Sequence, residues 1–285
     1  MTATAPKATV PAELIKLYNQ GRVIPFVGAG ASMSMKWEST DGSKTFRGPS
    51  WRELVDEACR QLGYEDPELL RYRGTDLQIL EFFEQKRGNF APLTNWLVRR
   101  LDVPDDAVKN SRVHAALAAL VNSSRFYTTN YDDLVERSLR LSGRTVQVVA
   151  SERDMGMGNE LVEVVKFHGD FDNPDAMVFS EGHYYKRLRL DTPLDLKLRS
   201  DLLNRVALFL GYSFRDLNIG FLFDILNEML KSLPGSDTGK RAYIVVNNPS
   251  DFEYTLFRNR NIEIIPTYGD NRTESLADVL EQIAS

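Results

Sequence analysis

Seven short runs of apolar and β-branched residues punctuate this chain. They are VIPFV (23–27), RFYTT (125–129), TVQVVA (145–150), LVEVVKF (161–167), VALFL (206–210), AYIVVN (242–247) and IEIIP (262–266). Each has strand length, and longer segments with helical apolar spacing lie between several of them. SWRELVDEACRQLG opens with a capping box, Ser50 with Glu53, and closes at Gly63. NYDDLVERSLRLSG starts with Asn130 and two aspartates, which suit the positive end of a helix dipole, and closes at Gly143. FRDLNIGFLFDILNEMLKSLPG forms a further amphipathic segment stopped by Pro234 and Gly235. Such alternation predicts an α/β fold, a Rossmann-like parallel sheet with helices on both faces. One interval breaks the rhythm. Residues 36–122 carry only helical patterns, and we expect a helical inserted subdomain there. The expected organisation is a flexible tail at 1–11 and one domain over 12–285 holding that insertion.

Composition removes several classes. The net charge of -5 over 285 residues argues against general affinity for nucleic acid. The local basic stretch YYKRLRLDTPLDLKLR (184–199) reads as a solvated helix face. The one cysteine, Cys59, excludes an intrachain disulfide and a Cys-rich zinc module, so no metal is expected. No apolar run approaches the roughly 20 residues of a membrane helix. MTATAPKATVP has no apolar core for a signal peptide, so a cytoplasmic location is expected.

The informative residues follow the strands. Gly28-Ala29-Gly30 ends the first, Asn130-Tyr131-Asp132 the second and His168-Gly169-Asp170 the fourth. Gly211-Tyr212-Ser213 ends the fifth and Asn247-Asn248-Pro249 the sixth. Open parallel sheets bind ligands beyond the carboxyl ends of their strands, so five such turns predict one shared site. The first turn would let backbone amides approach a phosphate, with Ser32 donating to the same group. Met33 occupies the third glycine position of G-x-G-x-x-G, and no second strand ends in an acidic residue about 20 positions on. An ordinary hydride-transfer site is therefore disfavoured. GSDTGKR (235–241) has the wrong spacing for a P-loop and reads as a turn. Of three histidines, His114 sits in a helical pattern and reads as structural, while His183 is ambiguous. His168 stands at a strand end, where Gly169 permits a sharp turn that presents the imidazole.

The order GAGAS, TTNYD, FHGD, GYS, VNN resembles the sirtuin (silent-information-regulator) superfamily across about residues 20–280. PSW (49–51), YTTNYDDL (127–134) and LGYSFRDLNI (210–219) are similar to its prokaryotic branch in antiviral defence. Sirtuins bind NAD and break the bond between nicotinamide and ribose. The resemblance implies that Gly28, Ala29, Gly30 and Ser32 contact the phosphates and adjacent ribose, and that Asn130 lies by the nicotinamide ribose. It further implies that Asp132 recognises the carboxamide, that His168 is catalytic, and that Gly211, Ser213 and Asn247 line the adenosine side. The chemistry is consistent: nicotinamide departure leaves an oxocarbenium-like ribose, which a rigid polar pocket stabilises.

Two departures shape the expectation. The four-cysteine zinc module of deacetylating sirtuins is absent, and DFDNPDAMVFSEGHYYK after His168 matches their acyl-peptide clamp only loosely. The resemblance thus implies an NAD glycohydrolase yielding nicotinamide and ADP-ribose, an effector of a bacterial antiphage system that depletes NAD. Protein deacylation or ADP-ribosyl transfer is the alternative, and a non-catalytic NAD- or ADP-ribose-binding module is the alternative of another class. NAD is the expected substrate and no metal the expected cofactor. A homo-oligomer is expected, in which some of Tyr72, Arg73, Phe82, Phe83 and Trp96 form subunit contacts. The expected defence partner is a translocase ATPase, an Argonaute-like protein or a phage component, with no membrane and no direct nucleic-acid binding.

Overall fold

The structure, a computed structural model, describes residues 8–39, 43–156, 161–187, 192–212 and 242–285. The expected helix at 214–235, the turn at 235–241 and Ser213 lie outside the described residues, as do residues 1–7 of the expected tail. The strands are β1 (Val23–Val27), β2 (Lys36–Glu38), β3 (Thr45–Arg47), β4 (Arg125–Thr128), β5 (Val146–Val149), β6 (Val162–Lys166), β7 (Val206–Leu210), β8 (Ala242–Asn247) and β9 (Ile262–Thr267). Seven of them form one sheet in the order β5-β6-β4-β1-β7-β8-β9. Every neighbouring pair is parallel, as a Rossmann-like α/β fold requires.

The centre of the sheet is β1, buried at every position. All five of its residues pair with β7, whereas pairing with β4 begins only at Phe26. Pro25 accounts for the asymmetry. The Gly28 amide bonds toward β7, so the alternation of a parallel strand puts the absent N–H of Pro25 on the β4 side. Phe26 sits between Tyr127, 5.0 Å away, and Phe209, 4.9 Å away.

Helices cover both faces. α1 (Ala12–Asn19), α8 (Arg112–Ala118), α9 (Leu134–Leu141) and the C-terminal α13 (Arg272–Ala284) bury one apolar cluster around Leu14, Val27, Leu117, Leu139 and Leu280. Ala8 and Val10 also pack on this cluster, so the part of the expected tail that is described lies against the core. On the other face, α11 (Pro193–Leu203) and α12 (Asp251–Arg258) cover Phe26, Phe167, Phe209 and Ile244.

The stretch from β1 to β4 is largely helical, through α2 (Ala29–Met33), α3 (Trp51–Gln61), α4 (Glu68–Arg71), α5 (Asp76–Arg87), α6 (Ala91–Arg100) and α7 (Asp105–Asn110). The capping box of Ser50 and Glu53 opens α3 as expected. Residues 36–122 are not free of strands, however: β2 and β3 pair antiparallel. These strands are mostly exposed and have three residues each, one aromatic between two polar ones, too short for an alternation to be recognised. α3, α5 and α6 share a core with Met177 and Phe179, which follow β6, so the helical layer is anchored on the loop beyond His168. Tyr72 is exposed, whereas Phe83 is fully buried.

Among the described residues of the basic stretch 184–199, Tyr185, Lys186, Leu196 and Arg199 are exposed as expected, but others turn inward. Helix α10 (Glu181–Arg187) buries Tyr184 and most of Arg187, and α11 buries Asp195. Asp201, farther along α11, accepts from the Tyr127 hydroxyl at 2.9 Å and is paired with Arg125 and Lys197. Glu163 takes both of those cations in turn, at 2.7 Å from Arg125 and 2.8 Å from Lys197. Charges alternate through this cluster, so Lys197 bonds inward to β6 instead of facing water. Asp201→Ala should destabilise the protein by about 2 kcal/mol in urea unfolding, because it leaves the buried Tyr127 hydroxyl without this acceptor and Arg125 and Lys197 with Glu163. A loss within measurement error would contradict this account of the cluster.

Candidate active site

The turn after β1 lies directly on the turn after β7. The Gly28 amide donates to the Leu210 carbonyl at 2.9 Å, and the Gly30 amide to the Gly211 carbonyl at 2.7 Å. A Cβ on Gly30 would stand 2.5 Å from the Gly211 carbonyl oxygen, and one on Gly28 would strike the Tyr212 ring at 2.6 Å. Gly211 adopts φ +71°, open to glycine at no steric cost. These glycines are required by turn-on-turn packing, and two of the amides expected to meet a phosphate are already bonded within the chain. Tyr212 completes the junction, donating its hydroxyl to the Val27 carbonyl at 3.2 Å and meeting Thr129 Oγ1 at the same distance.

The turn after β4 closes onto this junction. Thr128 Oγ1 donates to the Val27 carbonyl at 2.8 Å and accepts the Asn130 amide at 3.0 Å, which curls the chain where the strand stops. Asn130 Nδ2 then donates to Ser32 Oγ at 2.8 Å and to the Gly28 carbonyl at 3.1 Å. Ser32 Oγ donates to Asp132 Oδ2 at 2.7 Å, while Asp132 Oδ1 accepts the Leu134 amide at the start of α9. Asn130, Ser32 and Asp132 are all buried. The expected residues Gly28, Gly30, Ser32, Asn130, Asp132 and Gly211 therefore form one connected group, with Ala29 inside its first turn.

His168 lies two residues past Lys166, and Asn130 two past Thr128. Lys166 and Thr128 are register partners on adjacent parallel strands, so the two candidates leave the sheet side by side. Gly169 turns the chain sharply at φ +76°, and the Val178 amide returns to the His168 carbonyl at 3.1 Å. The imidazole meets Tyr184 edge-on, with ring centres 5.4 Å apart. Burial first, and then the charge of Arg187, push its pKa down to about 3. Its Nδ1 is buried with no hydrogen-bond partner. A neutral imidazole of this kind can accept a proton or orient a hydroxyl.

Not every expected residue joins the group. Asn247 ends β8, two strands from β1, where its Nδ2 donates to the Gly269 carbonyl at 3.0 Å and its Oδ1 accepts from Thr267. His114 is buried in α8 against Ser111, as a structural histidine should be. His183 accepts the Phe179 amide at 3.4 Å and lies 3.5 Å from Glu84, which makes it part of the packing of α10.

Three neighbours escaped the sequence reading. Lys166 is buried at the end of β6 and reaches under the Asn130 turn. Glu136, its partner at 2.9 Å, is equally buried. Arg187 lies over the Phe167 ring at 4.0 Å. A lysine inside the apolar run VEVVKF was a legible signal, because a buried ammonium must be partnered. The partner on α9 was not.

Residues 124–265 match the model of the SIR2-like domain. It is 29% identical over 226 residues to "NAD(+) hydrolase ThsA" of Enterococcus faecium, covering 76% of this chain and 43% of that protein. It is 26% identical over 258 residues to "NAD(+) hydrolase ThsA" of Acinetobacter baumannii (strain 532279), covering 87% and 48%. It is 23% identical over 263 residues to "Defense-associated sirtuin 2" of Bacillus subtilis, covering 89% and 24%. The chain thus spans less than half the length of these relatives.

The buried histidines make stability depend on pH. Both His168, at about 3, and His114, at about 4, bind protons more weakly folded than unfolded. The unfolded chain takes up protons first, so stability is fully present above about pH 6.5 and falls as the solution is acidified. Between pH 7 and pH 5 each histidine should cost about 2 kcal/mol. His168→Gln should remove one share of that slope in denaturant titrations. An unchanged slope would mean that His168 is not held neutral by the fold.

Proposed function

We propose that this sirtuin-like chain is an NAD glycohydrolase, cleaving NAD to nicotinamide and ADP-ribose. One observation carries the reading: a buried asparagine, fixed by Ser32 and Gly28, leaves the sheet beside a histidine that burial keeps neutral. Asn130 would orient water or ribose, and His168 would receive a proton. The rigid polar turn would stabilise the ribosyl cation as nicotinamide departs. From β6 to β8 the strand ends span four spacings, roughly 19 Å at about 4.8 Å each, a length suited to a dinucleotide laid along the edge. NAD would place its nicotinamide end at β4 and β6 and its adenosine toward β8. Asp132, already bonded to Ser32, would face the carboxamide, and Gly211, Ser213 and Asn247 the adenosine side.

The names of similar proteins, NAD(+) hydrolase and defense-associated sirtuin, favour hydrolysis within antiphage defence. We extend this to NAD depletion as the effect, with a homo-oligomer and a defence partner controlling it in the cytoplasm. Among the described residues no helix is long and apolar enough to cross a membrane.

Nicotinamide release from NAD, with and without an acylated peptide, tests the activity. The wild type should release nicotinamide without peptide, whereas a requirement for the peptide would favour deacylation. Asn130→Ala and His168→Ala should each reduce release by about 100-fold or more while remaining folded. Normal turnover by either folded variant would remove that residue from the mechanism.

A further inference from the structure

Lys166 is the last residue of β6 and is 1% exposed. An ammonium carries three N–H donors, and here each has an acceptor. One donates to Glu136 Oε1 at 2.9 Å, one to the Tyr131 carbonyl at 3.1 Å and one to the Asp132 carbonyl at 2.5 Å. Two of the three acceptors are thus backbone groups of the turn that holds Asn130 and Asp132.

Stability alone does not explain this arrangement. A buried ion pair usually gains little over apolar residues of similar volume, because desolvation offsets the attraction. Glu136 illustrates the cost, since its second oxygen, Oε2, is buried without a hydrogen bond. Burial also raises the Glu136 pKa, against the lowering effect of Lys166 beside it. The clamp also spans two elements. Lys166 belongs to the strand that delivers His168, two residues on, and it grips the turn that delivers Asn130. Tyr131 fastens the same turn a second time, donating its hydroxyl to the Val178 carbonyl at 2.7 Å beyond His168.

We infer that Lys166 is a positioning residue for NAD cleavage, clamping the Tyr131 and Asp132 carbonyls so that Asn130 and His168 keep a fixed spacing. This rests on the activity proposed above. Misplacing a reacting group by about 1 Å can cost 100-fold in rate, so the clamp should act on turnover more than on substrate affinity.

The test uses the full chain and two variants. Lys166→Met with Glu136→Leu replaces the ion pair by apolar groups and frees both carbonyls. Glu136→Gln keeps an oxygen for the lysine and leaves the clamp intact. Hydrogen–deuterium exchange at residues 129–134 is read beside steady-state kinetics. The double variant should fold, exchange about tenfold faster at 129–134 with β7 unchanged, and lose about 10- to 100-fold in kcat with KM within about threefold. Glu136→Gln should keep both exchange and kcat within about threefold of wild type.

Wild-type exchange or wild-type kcat in the folded double variant would overturn the inference. Should the double variant not fold, Glu136→Gln decides: tenfold loss of kcat with the turn still protected would overturn it, and retention of both would support it. A wild-type chain that does not cleave NAD would sink the proposed activity alone, and exchange at 129–134 would still judge the clamp.

Discussion

Two backbone turns in direct contact determine the geometry of this edge of the sheet. Gly28–Gly30 rests on Gly211 so closely that no side chain fits between them. The contact fixes the end of β1 against the end of β7, and the Gly28 carbonyl then becomes an acceptor for Asn130. From that carbonyl the chain of bonds runs through Asn130 and Ser32 to Asp132, which accepts the first amide of α9. The candidate catalytic asparagine is therefore positioned by the central strands through short polar links. Preorganisation of this kind lets polar groups act on developing charge without first rearranging.

Buried charge supports the same edge from below. Lys166 and Glu136 are paired under the Asn130 turn, and Arg125, Asp201, Glu163 and Lys197 form a second cluster on the opposite face of the sheet. Arg187 stands near His168 over Phe167, and its pKa is lowered by burial despite Asp195. Removing water raises the importance of every such pair, because an unpaired charge in this environment is costly. It also keeps His168 neutral, so the desolvation that costs stability in acid provides a proton acceptor at neutral pH.

The seven sheet strands were legible because each is an apolar run between turn residues, and their residue positions match closely. The grouping of Gly28, Ser32, Asn130, Asp132 and Gly211 was legible because parallel strands bring their carboxyl ends to one edge. The β2–β3 hairpin was not, since strands of three residues are too short to show a period. Lys166 was overlooked although a charge in an apolar strand is a visible signal, and Glu136 could be matched to it only once the phase of α9 against β6 was known. Arg187 was hidden in a basic run whose inward and outward faces a sequence does not distinguish. The bonds of Asn247 to Gly269 and Thr267 join segments 20 or more residues apart, beyond any local pattern.

The central claim is that one sheet edge holds NAD with its reacting bond between Asn130 and His168. A crystal structure of His168→Ala with NAD bound tests this most directly. The account predicts an intact dinucleotide with the nicotinamide ribose at Asn130, within hydrogen-bond reach of the turn, and the adenosine toward β8. A dinucleotide lying with the opposite polarity, or bound away from the ends of β4 and β6, would contradict it.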